Sequence, residues 1–143
     1  MPELIHAVEI GAPPKTIFPL VASPAGLAQW LAEDVTPLPG GVDLGFYDRK
    51  VIYRLRGLTL APPATAAWLA VSGTEWTGTR LIFHMAAKGD GTALRFVHEG
   101  WREVTPYFIS SNTTWGAVLW RLKAVAEGGR PRPFFTRSGL GDG

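Results

Sequence analysis

Cysteine is absent from the chain, which removes disulfides, thiol nucleophiles and thiolate metal sites together. That absence suits a reducing compartment. Long apolar runs are missing too. The longest, Ala66 to Val71, falls far short of the roughly eighteen residues that a spanning helix needs, so no transmembrane segment is expected. The opening residues, Met1-Pro2-Glu3-Leu4-Ile5-His6, show no basic stretch leading into an apolar run and a small-residue cleavage site. No signal peptide is expected, and the default location is cytoplasmic. Charge is scarce, at 18% of residues, and nearly balanced at a net +2. Its distribution is uneven: from Arg121 onward Arg121, Lys123, Arg130, Arg132 and Arg137 stand against Glu127 and Asp142. A nucleic-acid reader carries a denser basic face interleaved with stacking aromatics, so no nucleic-acid partner is expected.

What the chain does have is hydrophobic residues, at 46% of 143, enough for one globular core and too many for a disordered chain. Its 17 glycines and 12 prolines are scattered as punctuation, which implies many short elements. Leu4 to Ile10 is compatible with a strand that Gly11-Ala12-Pro13-Pro14 stops. Pro14 opens a short helix with Ile17, Phe18, Leu20 and Val21 on its apolar face, interrupted by Pro19. Ser23-Pro24 starts a second, with Leu27, Trp30 and Leu31 at helical spacing.

Beyond Pro37 the period becomes two. Val42, Leu44 and Phe46 share one strand face, and after Asp48-Arg49-Lys50 so do Val51, Tyr53 and Leu55, with Arg54 and Arg56 opposite. Ala64 to Val71 is an apolar strand, and Ser72-Gly73 turns the chain towards Trp76. Arg80 to Ala87 and Thr92 to Glu99 form a hairpin around Lys88-Gly89-Asp90-Gly91; Leu81, Phe83, Met85, Leu94, Phe96 and His98 face inward, Arg80, His84, Arg95 and Glu99 outward. The last element is an amphipathic helix that Thr105-Pro106 begins, carrying Phe108, Ser111, Trp115, Val118, Leu119, Leu122, Val125 and Ala126, and Gly128-Gly129 ends it. Ser110 to Thr114 are poor helix formers, so a start nearer Asn112 or an irregular first turn is expected. Thr136 to Gly143 read as a mobile tail after a domain spanning 1–135.

Among polar constellations, His6, His84 and His98 are too dispersed for a metal site, and Glu99 points away from His98, which denies an acid–base pair. His98, inward beside Phe96, reads best as a buried histidine bonded to a neighbouring element. No nucleophile elbow, phosphate-cradling loop or dinucleotide fingerprint occurs, and no cofactor is implied.

Several groups coincide with a known pattern: Ala12-Pro13-Pro14 with Ile17-Phe18, Trp30, Gly40-Gly41, Pro62-Pro63, Trp76-Thr77-Gly78-Thr79, Phe96-Val97-His98-Glu99-Gly100-Trp101, Trp115, Leu119 and Glu127-Gly128. From about Leu4 to Pro133 the chain resembles the SRPBCC superfamily of START-like, birch-pollen-allergen-like helix-grip domains, and within it the branch named for the activator of the heat-shock-protein-90 ATPase. The resemblance implies an α+β fold, a curved antiparallel sheet of about seven strands gripping the long C-terminal helix, with two short helices after the first strand and an apolar cavity between sheet and helix. It also suits a bacterial source. A module binding a hydrophobic or amphipathic ligand, such as a lipid, a polyketide-like or an aromatic molecule, is the leading expectation, with Phe46, Tyr53, Trp68, Phe83, Met85, Phe96, His98, Phe108, Asn112 and Trp115 as candidate lining residues. An aromatase or cyclase using His98 or Tyr53 for proton transfer is the alternative, and a chaperone co-factor acting through its surface the third. A homodimer is compatible with all three.

Overall fold

The computed structural model describes residues 1–131 and the backbone of 135–136 and 139–140. The first strand, β1 (Leu4–Ile10), leads through Pro13, at the N-cap, into helix α1 (Pro14–Ala22) and the single turn α2 (Pro24–Leu27). Strands β2 (Asp34–Leu38), β3 (Gly41–Phe46), β4 (Val51–Ala61) and β5 (Thr65–Ser72) follow, then a 3-10 turn at Thr74–Trp76, β6 (Arg80–Lys88), β7 (Gly91–Glu99) and helix α3 (Pro106–Ala126). The seven strands form one antiparallel sheet in the order β1-β7-β6-β5-β4-β3-β2. Most of the tail expected over 136–143 lies outside the described residues; Phe135–Thr136 (β8) and Gly139–Leu140 (β9) pair with each other.

Three local readings change. Asp34–Leu38, not anticipated as a strand, pairs with β3 and places Pro37 opposite Val42. It is the last strand of the sheet, where a proline that cannot donate to a ladder is tolerated. The second short helix stops at Leu27, before Trp30. Helix α3 is continuous through Ser110–Thr114. Thr105 caps it by accepting the Phe108 amide at 3.1 Å, Pro106 presets its first turn, and burial of Trp115, Val118, Leu119 and Leu122 outweighs the low propensity of the polar run.

The concave face of the sheet and one side of α3 enclose the core, in which Ile17, Leu27, Trp30, Phe83, Phe96, Leu119 and Leu122 are all but inaccessible. Register shifts between β4 and β5, at Arg54/Leu55 and at Gly57/Thr59, bend the sheet around the helix. Indole N–H groups fasten the short helices. Trp30 Nε1 donates to Leu20 O and Trp68 Nε1 to Val21 O, both at 2.8 Å, which satisfies carbonyls of the last turn of α1. Pro19 is tolerated because it and Lys15, whose carbonyl it leaves without its helical donor, are exposed.

The corner between the two short helices allows no side chain at Gly26: a Cβ there would lie 1.9 Å from Pro19 O and 2.5 Å from Leu20 Cα. Both are backbone atoms that cannot swing aside. Gly26→Ala is expected to destabilise the fold by about 3 kcal/mol, read as a lower urea midpoint at unchanged slope; an unchanged midpoint would show that the corner yields.

Candidate functional site

Helix α3 presents two inward seams rather than one. Phe108, Trp115, Leu119 and Leu122 face the core, whereas Tyr107, Ser111, Thr114 and Val118 recur at i, i+4, i+7 and i+11 on an adjacent stripe. That second stripe walls a cavity of about 200 Å³. Ser110 and Trp115 flank it, β3 and the turn after it contribute Phe46 and Tyr47, β4 Val51 and Tyr53, the 3-10 turn Trp76, and the segment after α2 Leu31. None of these carries a formal charge. Two other pockets, of about 340 and 330 Å³, lie among the loops at 74–77 and 100–105 and along β2 and β3, and neither has a wall from α3.

The floor of the cavity is a stack of rings. Tyr53 lies against Trp76 at 3.8 Å between centroids and 26° between planes, and Trp76 against Trp115 at 5.6 Å and 16°. Trp115 continues to Phe96 at 4.3 Å and Phe96 to Phe83 at 4.9 Å, so the wall merges into the core.

Behind the stack stands His98, wholly buried. Trp115 Nε1 donates to His98 Nδ1 at 3.1 Å, which requires Nδ1 to be the bare nitrogen. The network therefore assigns the proton to Nε2, which donates to Thr79 Oγ1 at 2.7 Å, and the Thr79 hydroxyl donates to Trp76 O at 2.6 Å. Every proton in this chain has one acceptor. Burial holds the imidazole at about 3, so it is neutral at physiological pH. With both nitrogens engaged and Trp76 and Trp115 between it and the cavity, His98 positions the floor and has no path to a bound molecule.

At the mouth, the Tyr53 and Tyr107 hydroxyls hydrogen-bond to each other and the Thr74 hydroxyl donates to Tyr107 at 2.8 Å. Burial, and then this bond to Tyr107, raise the Tyr53 phenol above its usual range, so it stays a neutral donor. Ser110, Ser111 and Thr114 add hydroxyls from the helix side.

Of the ten residues expected to line a cavity, Phe46, Tyr53 and Trp115 do so. Trp68, Phe83, Met85 and Phe96 are packed in the core, and Phe108 lies edge-on to Trp101 at 5.2 Å. Asn112 is exposed and bonds His6 Nε2 through Oδ1 at 2.9 Å, on the β1 side of the helix. Tyr47, Val51 and Tyr107 were not anticipated. A second i, i+4, i+7 stripe was the available signal for Tyr107; nothing local marks Tyr47, which sits in a turn.

Comparison with known proteins agrees with this geometry. No protein-family model matches the chain, and no curated protein matches it by sequence. Solved structures do. The Aha1 dimer from Colwellia psychrerythraea, solved in solution, superposes with a TM-score of 0.79 at 27% identity, over 92% of this chain and all of that one. CalU16 from Micromonospora echinospora follows at 0.70 and 18%, over 92% of this chain and 77% of that one. DynU16, from the dynemicin biosynthetic locus, gives 0.75 and 16% over 94% of this chain, which spans 51% of its length. Among the described residues no helix is long and apolar enough to cross a membrane.

The His98 network carries a pH signature. Between its ordinary value of 6.5 and about 3, the unfolded chain binds a proton on this imidazole that the folded chain refuses, so stability falls as pH is lowered through that window. The slope approaches ~1.4 kcal/mol per pH unit for one proton. Urea unfolding between pH 6 and 5, above the carboxylate range, is expected to show the wild type losing stability more steeply than His98→Gln, whatever their absolute stabilities; parallel slopes would refute the assignment. With sheet order, helix grip and neighbours in agreement, the chain has the helix-grip fold and is similar to the Aha1-like branch of the SRPBCC superfamily.

Proposed function

We propose that this chain is a binding module that encloses a small, uncharged, flat molecule of one or two rings between β4, the 3-10 turn and α3. The observation that carries this reading is the lining: three stacked rings on one side, hydroxyls on the other, and no ionisable acid or base except tyrosine. Apolar burial supplies affinity, and Ser111, Thr114 and the Tyr53–Tyr107 pair select a hydroxyl or carbonyl substituent. Size supports the same class, since an apolar cavity of ~150 Å³ takes a benzene-sized ring and this one, at about 200 Å³, is somewhat larger. A carboxylate or ammonium inside it would lose its hydration and gain no counter-charge. A long acyl chain does not fit that volume.

The enzymatic alternative loses its histidine, because His98 is sealed behind the floor. The surface-mediated alternative is suggested by the branch name alone; of the outward strand cations, Arg54 is engaged by Asp43 through two bonds at 2.9 and 3.0 Å. A homodimer is favoured as the assembly state, supported by the dimeric Aha1 from Colwellia psychrerythraea.

Quenching of tryptophan fluorescence on titration tests the ligand class. 2-Naphthol is expected to bind at least tenfold more tightly than 2-naphthoate at pH 7, and Thr114→Phe, which pushes a ring into the cavity, to weaken 2-naphthol by a similar factor without lowering the unfolding midpoint. Equal affinity for the two probes, or full binding by the filled variant, would sink the proposal.

A further inference from the structure

The outward side of α3 holds the largest concentration of uncovered apolar side chain on the helix: Trp120 is 59% and Ile109 58% exposed. Thr113, Ala117 and Ala124 fall on the same stripe, one or two turns away. No exposed position of α3 is charged. Arg121 is buried, its Nε donating to Trp30 O, and Lys123 turns aside to Glu9 O and Glu127. A surface helix normally shows charge opposite its buried face; this one shows Ile109 and Trp120 among uncharged Ser110, Asn112 and Thr113. The convex face of the sheet, by contrast, carries Arg54, Arg80 and Glu99 as ion pairs with solvent access.

We infer that a second copy of this chain covers this face, the two α3 helices packing antiparallel about a two-fold axis through Gly116 and Ala117. The inference rests on the homodimer reading above and says where the dimer forms. The spacing on the helix is self-complementary. An axis midway between residues 116 and 117 sets Trp120 of one copy over Thr113 of the other, and Ile109 over Ala124, so each large side chain meets a small one. Ala117 lies at the crossing, where a small residue permits close approach, and Gly116 flanks it on the side of His6. An isologous interface requires this kind of pairing, in which one patch complements itself. An unrelated protein would require only one exposed ring, without its reciprocal hollow. The face is about 24 Å long, from ~1.5 Å per residue over the sixteen residues from Ile109 to Ala124. One helix face covers less than the ~800 Å² per partner of a standard interface, so the dimer is concentration-dependent rather than permanent.

Sedimentation equilibrium of the full chain from about 1 μM to 1 mM tests this. The wild type is expected to pass from monomer to dimer, and Trp120→Glu to raise the dissociation constant at least tenfold while the urea midpoint stays put, since the side chain is exposed. Because the chain has no cysteine, Ala117→Cys supplies an independent readout: near the axis its sulfurs come within disulfide reach, so mild oxidation yields a covalent dimer, whereas Arg56→Cys on the sheet does not. A dimer insensitive to Trp120→Glu and not captured by Ala117→Cys places the interface elsewhere and overturns the inference alone. A chain monomeric to 1 mM overturns the dimer reading with it and leaves the cavity reading untouched.

Discussion

The packing of Trp115 between its neighbours is the contact on which the two halves of the molecule depend. Its ring touches Trp76 on the cavity side and Phe96 on the core side, and its indole N–H is held by a histidine that accepts only while neutral. Each such ring pair adds ~0.5–1.5 kcal/mol beyond burial of its area. The elements joined are far apart in the chain: β4, the 3-10 turn, β7 and α3 meet through Tyr53, Trp76, His98 and Trp115. The arrangement has a cost, for Trp76 Nε1 is buried with no partner, at ~1–3 kcal/mol. Stacking on both faces of that ring offsets it.

Backbone strain gathers where the core ends and the cavity begins. Tyr47, Asp48 and Arg49 are three consecutive residues in the left-handed region, with φ of 53°, 60° and 65°, and Thr74 is a fourth at 48°. Such conformations cost a non-glycine residue of order 1 kcal/mol or more and persist where the surroundings hold them. Here an ion pair from Arg49 to Asp34 at 2.8 Å ties the turn to β2, and the Thr74 hydroxyl is tied to Tyr107. The strained turns supply Tyr47 to the cavity wall and carry the chain into Trp76.

How much of this was legible follows from the range of the interactions involved. Period-two alternation in 42–46, 51–55, 80–87 and 92–99 reports which side of a strand is buried, and those four strands stand where it places them; the strand-compatible run at 4–10 and the apolar run at 64–71 account for two more. The strand at 34–38 carries no such signal: it is an edge, its residues are mostly half-exposed, and a proline sits in it. Inwardness was likewise readable, so Phe83, Phe96 and His98 were correctly turned from solvent. Whether an inward residue meets a void or another ring is decided by partners scores of residues away, which alternation does not encode. Phe83 and Phe96 fill each other's space, while Tyr53, with the same pattern, borders an opening. Tyr47 depends on a left-handed turn that lacks glycine, the residue by which such turns announce themselves.

The scarcity of charge noted first in the composition turns out to have a location. Helix α3 has three stripes, facing core, cavity and outside, and its only two cations turn to other partners, Arg121 to Trp30 O and Lys123 to Glu9 O and the Glu127 carboxylate. Those bonds anchor the helix to the segment after α2 and to the edge strand β1, so the cations act as fasteners and leave all three stripes neutral. A neutral stripe towards the core is ordinary. Towards a cavity it selects an uncharged guest, because nothing there replaces the hydration of an ion. Towards solvent it leaves apolar area that water covers poorly and a matching surface covers well. One compositional choice on one helix thus sets what the inner side can admit and what the outer side can meet.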